Sequence, residues 1–279
     1  MKIGIEPIVI NMRTLFGKPA DLSIILVDGY LDEPSCLGVP PYISPQIRYA
    51  YGALIDLGID PSRITYVTID GLRQDRSRYL DMARTADAVV VIAGATVPGR
   101  YLGGRPISTR EISQLVSMID PVPLILGGTI VLCQTDIPSV GFTCGEIAAT
   151  SLQKILGGRP EPGENNGALW AERIARFAIL GAELTTRHPS FPYIVCELET
   201  FRGCPRRENC AFCSEGLKRV RYQRPVENVV EEVEALARLG NRYYRLGCQT
   251  DLFLYGAKAR NGQLYPDPAV IRDLYQGIR

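Results

Sequence analysis

Three cysteines crowd into the segment Gly203-Cys204-Pro205-Arg206-Arg207-Glu208-Asn209-Cys210-Ala211-Phe212-Cys213. Thiolates at that density take a soft or borderline metal, so the chemistry to weigh is zinc or an iron–sulfur cluster. Cys210 and Cys213 have the C-x-x-C spacing that turns two sulfurs toward one centre, and the residues between Cys204 and Cys210 give the first thiol reach for a third contact. Structural zinc takes four closed ligands. The loop supplies three, so a fourth would come from Cys196, His188 or Cys248. A [4Fe–4S] cluster on three protein thiolates instead leaves one iron open to a further ligand, as a reaction at the cluster requires. The missing fourth local thiol favours the open cluster. A zinc clasp in a non-catalytic binding module is the alternative.

Such a loop needs rigid flanks. A strand over 191–199 precedes it, and a helix over 226–239, a strand over 243–246, a loop through Tyr265 and a helix opening at Asp267-Pro268 follow. Upstream, short β-branched runs alternate with amphipathic segments. Strands are expected at 22–27, 64–69, 88–93, 122–126 and 139–142. Helices are expected at 44–57, with Ile47, Ala50, Tyr51, Leu54 and Leu57 on one face, at 73–85, at 108–119 capped by Ser108 and Glu111, and at 146–156, stopped by Gly157-Gly158. This alternation predicts an α/β fold: residues 1–158 as a doubly wound parallel-sheet domain, 159–190 as linker and connecting helix, and 191–279 as the start of a second α/β unit. Two strand–helix repeats cannot close a barrel, so the second unit is expected to be truncated.

Composition narrows the class. The chain has 279 residues, 46% hydrophobic and 22% charged, which is ordinary globular composition. A net charge of +1 gives whole-molecule attraction to neither nucleic acid nor an anionic membrane. With no apolar run of spanning length and no signal-peptide core, a cytoplasmic protein without a membrane partner is expected. Eight cysteines are too sparse for a disulfide scaffold, and Cys36, Cys133, Cys144 and Cys196 read as isolated core or surface thiols. A basic stretch, Arg206, Arg207, Lys218, Arg219 and Arg221, surrounds the loop and is read either as a solvated face or as a contact for a carboxylate or polyanion. No G-x-G-x-x-G follows the first strand, so a dinucleotide site is not supported.

The cysteine segment resembles the radical S-adenosylmethionine superfamily, whose usual signature is C-x3-C-x-aromatic-C after the first strand of a partial (β/α) barrel. Cys210-Ala211-Phe212-Cys213 matches its second half, while the gap between Cys204 and Cys210 is longer than usual. The string Glu197-Leu198-Glu199-Thr200-Phe201-Arg202-Gly203-Cys204-Pro205 is similar to a subgroup of uncharacterised, mostly archaeal Fe–S oxidoreductases. In that subgroup a cobalamin-binding-like α/β domain precedes the barrel, and a helix-hairpin-helix part, absent from this sequence, follows it. The resemblance implies a [4Fe–4S] cluster on Cys204, Cys210 and Cys213, with S-adenosyl-L-methionine on its open iron. It also implies Phe212 near the adenine, and Gly247, Cys248 and Gln249, in the place of a Gly-Gly-Glu turn, near the cosubstrate's amino group. The implied reaction is reductive cleavage to a 5′-deoxyadenosyl radical, fed by a single-electron donor such as ferredoxin or flavodoxin and spent on an unknown substrate. Catalytic residues are not assigned, and this chain alone is expected to be inactive. Without an Asp-x-His-x-x-Gly motif, histidine-ligated cobalamin is excluded; a mode with no protein ligand to the cobalt stays open, and a scaffold domain that binds no cobalamin is the favoured expectation.

Overall fold

The computed structural model describes residues 16–30, 41–94, 105–133, 137, 140–204, 210, 214–261 and 263–279. In chain order the first half runs β1 (Ile24–Asp28), β2 (Tyr42–Ile43), α1 (Pro45–Asp56), β3 (Ile64–Thr68), α2 (Ile69–Gln74), α3 (Arg76–Arg84), β4 (Ala88–Ile92), α4 (Thr109–Ile119), β5 (Leu124–Gly127), β6 (Phe142–Thr143) and α5 (Ala148–Gly157). After the Pro/Gly-rich connection come α6 (Gly167–Leu180), β7 (Val195–Glu199), β8 (Phe201–Arg202), β9 (Tyr222–Gln223), α7 (Val226–Arg238), β10 (Tyr243–Gly247), β11 (Lys258–Arg260), β12 (Gln263–Tyr265) and α8 (Pro268–Ile278).

The central sheet has the order β3-β1-β4-β5-β6, with every pairing parallel. Its middle strands are buried along their whole length, as the unbroken runs IILVD and AVVVI require of strands covered on both faces. The α/β class is therefore as expected. Local signals set several boundaries. Ser44 caps α1 by accepting from Gln46 N, Ser108 and Glu111 form a reciprocal capping box on α4, and Gly158 ends α5 in the left-handed region at φ 63°.

The second sheet, β10-β7-β2, is also parallel, and its third strand comes from the N-terminal half: Tyr42 and Ile43 pair with Val195 and Cys196. α1, which follows β2 directly, lies between the halves. Ile47 and Leu54 are fully buried and share one core with Leu26 and Val90 of the first sheet and Leu198 and Leu236 of the second half. Burying a side chain of this kind contributes about 1.5–3 kcal/mol. On its other side α1 meets α6 closely enough that a Cβ at Gly52 would overlap the Phe177 carbonyl and one at Gly181 the Arg48 carbonyl.

Three expectations are corrected. The helix over 73–85 is two helices broken at Asp75, and the strand over 191–199 begins only at Val195, after a 3-10 stretch, Gly181–Arg187, and a turn. The loop through Tyr265 contains the hairpin β11–β12. No helix among the described residues is long and apolar enough to cross a membrane.

Candidate functional site

β7 carries two carboxylates, Glu197 and Glu199, in an otherwise apolar strand, and both are buried. Buried carboxylates need partners. The Glu199 carboxylate accepts from Tyr222 Oη at 2.5 Å, and its backbone carbonyl accepts from Arg224 Nη1 at 2.9 Å. The Glu197 carbonyl accepts from Arg48 Nη2 at 2.5 Å. Arg48 and Arg224 then share Glu232 of α7, at 2.6 and 2.5 Å, with all three side chains fully buried. Burial pushes the Glu232 carboxyl up, but the charges of Arg224 and Arg48 outweigh it and hold it below the usual range. One residue from α1 and one preceding α7 thereby grip the backbone of β7 just ahead of the cysteine segment.

That segment leaves from a hairpin. β8 pairs antiparallel with β9, so Phe201 and Arg202 lie opposite Gln223 and Tyr222, and residues 203–221 form the excursion between them. Gly203 turns the chain out at φ 90°, a conformation that glycine adopts without steric cost. Cys204 follows, 8% exposed, while Cys210 is exposed. Cys213 and Phe212 lie outside the described residues. Beyond them Lys218 is buried and ion-paired to Glu215, which removes it from any solvated basic face.

Gly247, Cys248 and Gln249 lie beside this departure point, because Gly247 is in register with Glu199. A Cβ at Gly247 would overlap the Glu197 carboxylate. Cys248 has φ 60°, uncommon for a non-glycine residue, and its thiol lies 3.2 Å from Glu197 Oε2. Burial, then the charges of Glu197 and Glu199, push this thiol well above its ordinary pKa, so it is held protonated. Glu197 Oε1 accepts from Arg245 at 2.7 and 3.1 Å, and Arg245 lies over the Tyr42 ring. Gln249 Oε1 and Thr250 Oγ1 are buried with no partner among the described residues.

The other residues weighed for a metal are committed elsewhere. Cys196 is fully buried and its thiol lies 3.4 Å from Asn241 Oδ1. His188 is buried, its Nδ1 accepts from Ser190 N, and burial lowers its pKa to about 4. Cys144 is buried in the core as expected; Cys36 and the side chain of Cys133 lie outside the described residues. Among the described residues no three His, Cys, Asp or Glu side chains group to hold a metal.

Two cavities flank the cysteine segment. One, of about 390 Å³, is lined by Cys204, Gly203, Arg221 and Leu254 among others. The larger, of about 440 Å³, lies between the ends of β5 and β6 and the returning arm of the excursion, with Glu146, Trp170, Leu217 and Arg219 in its wall. In the first sheet the order reverses between β1 and β4, the usual ligand crevice of a doubly wound fold. There Asp28 accepts from Tyr30 N and Tyr66 Oη, and Tyr30 packs against Gly94. Sequence reasoning missed Glu146, Arg224 and the β7 carboxylates. The legible signal was Glu197 and Glu199 interrupting an apolar run.

The described fold is a mixed α/β fold built on a parallel central sheet, of the kind seen in a radical S-adenosylmethionine methyltransferase, TsrM, from Kitasatospora setae. That enzyme, solved with tryptophan substrate and a SAM analogue bound, superposes with a TM-score of 0.51 at 16% identity, over 80% of this chain and 47% of its own. A second structure of it, with cobalamin and a [4Fe–4S] cluster bound, gives a TM-score of 0.48 at 17% identity, over 78% of this chain and 47% of its own. In sequence the chain is 37% identical over 253 residues to an uncharacterised protein of Archaeoglobus fulgidus, covering 91% of this chain and 45% of the relative. It is 33% identical over 280 residues to an uncharacterised protein of Methanocaldococcus jannaschii, covering 91% of this chain and 49% of the relative. The chain thus spans about half the length of the curated relatives it matches. No family model matches it.

Proposed function

We propose that the chain forms the first part of a radical S-adenosylmethionine enzyme, with Cys204, Cys210 and Cys213 as ligands of a [4Fe–4S] cluster. In this reading residues 1–158 form a scaffold domain that lends Tyr42–Ile43 to the second sheet, 159–190 connect, and 191–279 begin the barrel. The observation that carries it is the departure of the cysteine excursion from the β8–β9 hairpin just past the end of β7, beside Gly247 at the end of the neighbouring parallel strand and the Cys248-Gln249 that follow it. The donor set fits a cluster with an open iron: the three thiols are clustered in sequence, while Cys196, His188 and Cys248 are engaged with Asn241, Ser190 and Glu197.

A cluster held there would supply one electron for the reductive cleavage of S-adenosylmethionine into methionine and a 5′-deoxyadenosyl radical. The chain's own residues do the rest. Gly247, lacking a Cβ, makes room for the Glu197 carboxylate at the strand end, Gln249 and Thr250 bring unpartnered polar atoms for the cosubstrate's amino-acid group, and Phe212 supplies an aromatic face for the adenine. The electron donor is of the ferredoxin or flavodoxin type. The chain's one histidine is buried and engaged, so the proposal assigns no histidine ligand to a corrinoid cobalt.

Anaerobic reconstitution with iron and sulfide tests it. The expected outcome is a broad visible absorbance that changes on adding S-adenosylmethionine, lost in Cys204→Ala, Cys210→Ala and Cys213→Ala and kept in Cys36→Ala and Cys133→Ala. One tightly held zinc and no chromophore would sink the idea in favour of the zinc-stabilised module. Full iron in any of the first three variants would refute the ligand assignment.

A further inference from the structure

The cysteine excursion has two arms, and one carboxylate from the N-terminal half holds both. On the outgoing arm Arg202, two residues before Cys204, is nearly fully buried and gives Nε to Glu146 Oε1 at 3.1 Å and Nη2 to the Glu146 carbonyl at 3.2 Å. On the returning arm the backbone amides of Arg219 and Val220 donate to Glu146 Oε2 at 2.7 and 3.1 Å. Glu146 lies in the turn between β6 and α5, far from either arm in sequence. It has no apolar role there: its side chain is 11% exposed and lines the larger cavity.

We propose that Glu146 is the positioning residue for the cysteine excursion, a carboxylate staple through which the N-terminal half sets the separation of the outgoing arm at Arg202–Cys204 from the returning arm at Arg219–Val220. The inference rests on the proposed cluster only for its purpose; the staple itself is a property of the metal-free chain. The chemistry requires a carboxylate. Each oxygen serves one arm, one taking a guanidinium and the other two amides, and all of these are donors. Glutamine keeps the shape but turns an NH2 toward one set of donors, so one arm must let go. Aspartate keeps the charge but is too short for both. Further along, Arg202 Nη1 lies 3.6 Å from Glu199 Oε1, linking the staple to the end of β7.

The test measures alkylation of Cys204 in the metal-free, reduced protein, read by peptide mapping, with exposed Cys210 as internal reference. In Glu146→Gln the Cys204 rate, relative to Cys210, is expected to rise at least about tenfold, as for losing one charge-assisted hydrogen bond, while the melting transition stays cooperative. After reconstitution the same variant should lose iron to a chelator faster than wild type. Wild type offers a second measurement, independent of any variant's folding: hydrogen exchange of the Arg219 and Val220 amides should be slow although Arg219 is exposed. Unprotected amides, or an unchanged Cys204 rate in Glu146→Gln, overturn the proposal. If wild type forms no cluster, the functional reading fails while the alkylation and exchange results still decide this one.

Discussion

Asp28 offers a sharp test because its charge and its burial pull in opposite directions. The residue ends β1, is 3% exposed, and receives Tyr30 N at 3.1 Å and Tyr66 Oη at 3.0 Å. Burial raises its pKa from 3.8 to about 6, against the smaller lowering by those two hydrogen bonds. The folded state therefore binds the proton more tightly than the unfolded one. The associated stability is fully present below pH 3.8 and is lost as the pH rises through about 6. That difference corresponds to about 3 kcal/mol of destabilisation at pH 7.5 and only about 1 kcal/mol at pH 4.5. Asp28→Asn keeps an oxygen for Tyr30 N and offers an NH2 to the Tyr66 oxygen, so it stands in for the protonated form. Urea unfolding at the two pH values should show the variant more stable than wild type by up to about 3 kcal/mol at pH 7.5, with most of the gain gone at pH 4.5. Destabilisation of similar size at both values would refute the reasoning, because the carboxylate would then be contributing through its contacts rather than costing through its burial.

Two further outcomes follow from the packing between the halves. Glu232→Ala leaves the guanidinium groups of Arg48 and Arg224 buried with no carboxylate between them, so chemical denaturation should register a loss of about 3–5 kcal/mol; a loss under about 1 kcal/mol would mean water reaches the pair. Gly181→Ala forces a Cβ into the Arg48 carbonyl on α1 and should cost about 1–3 kcal/mol by the same assay, whereas Gly163→Ala, with nothing near its Cβ, should be close to neutral.

Patterns repeated along the chain translated directly into structure. β4 is buried throughout because AVVVI has no polar face to offer solvent, and the α4 capping box and the Gly158 stop are local chemistry that any tertiary context preserves. Short elements were less legible. β2 is two residues long, too short for a period, and exists because Tyr42 and Ile43 find the edge of β7. The cysteine triplet was readable from spacing, but its support was not. Glu146, Arg48, Arg224 and Glu232 look like ordinary surface charges in one dimension; only the packed chain takes them out of water and makes their pairing obligatory.

By itself, then, the amino-acid sequence determined the α/β alternation, the caps and the clustering of three thiols, since these depend on residue types within a few positions of one another. Tertiary structure decided which strand the N-terminal half lends to the second sheet, which carboxylate ties down both arms of the cysteine excursion, and which aspartate keeps a raised pKa. Those features arise from burial and from contacts between residues far apart in the chain, such as the 184 positions between Arg48 and Glu232. The desolvation that makes such contacts strong exists only once the chain has closed around them.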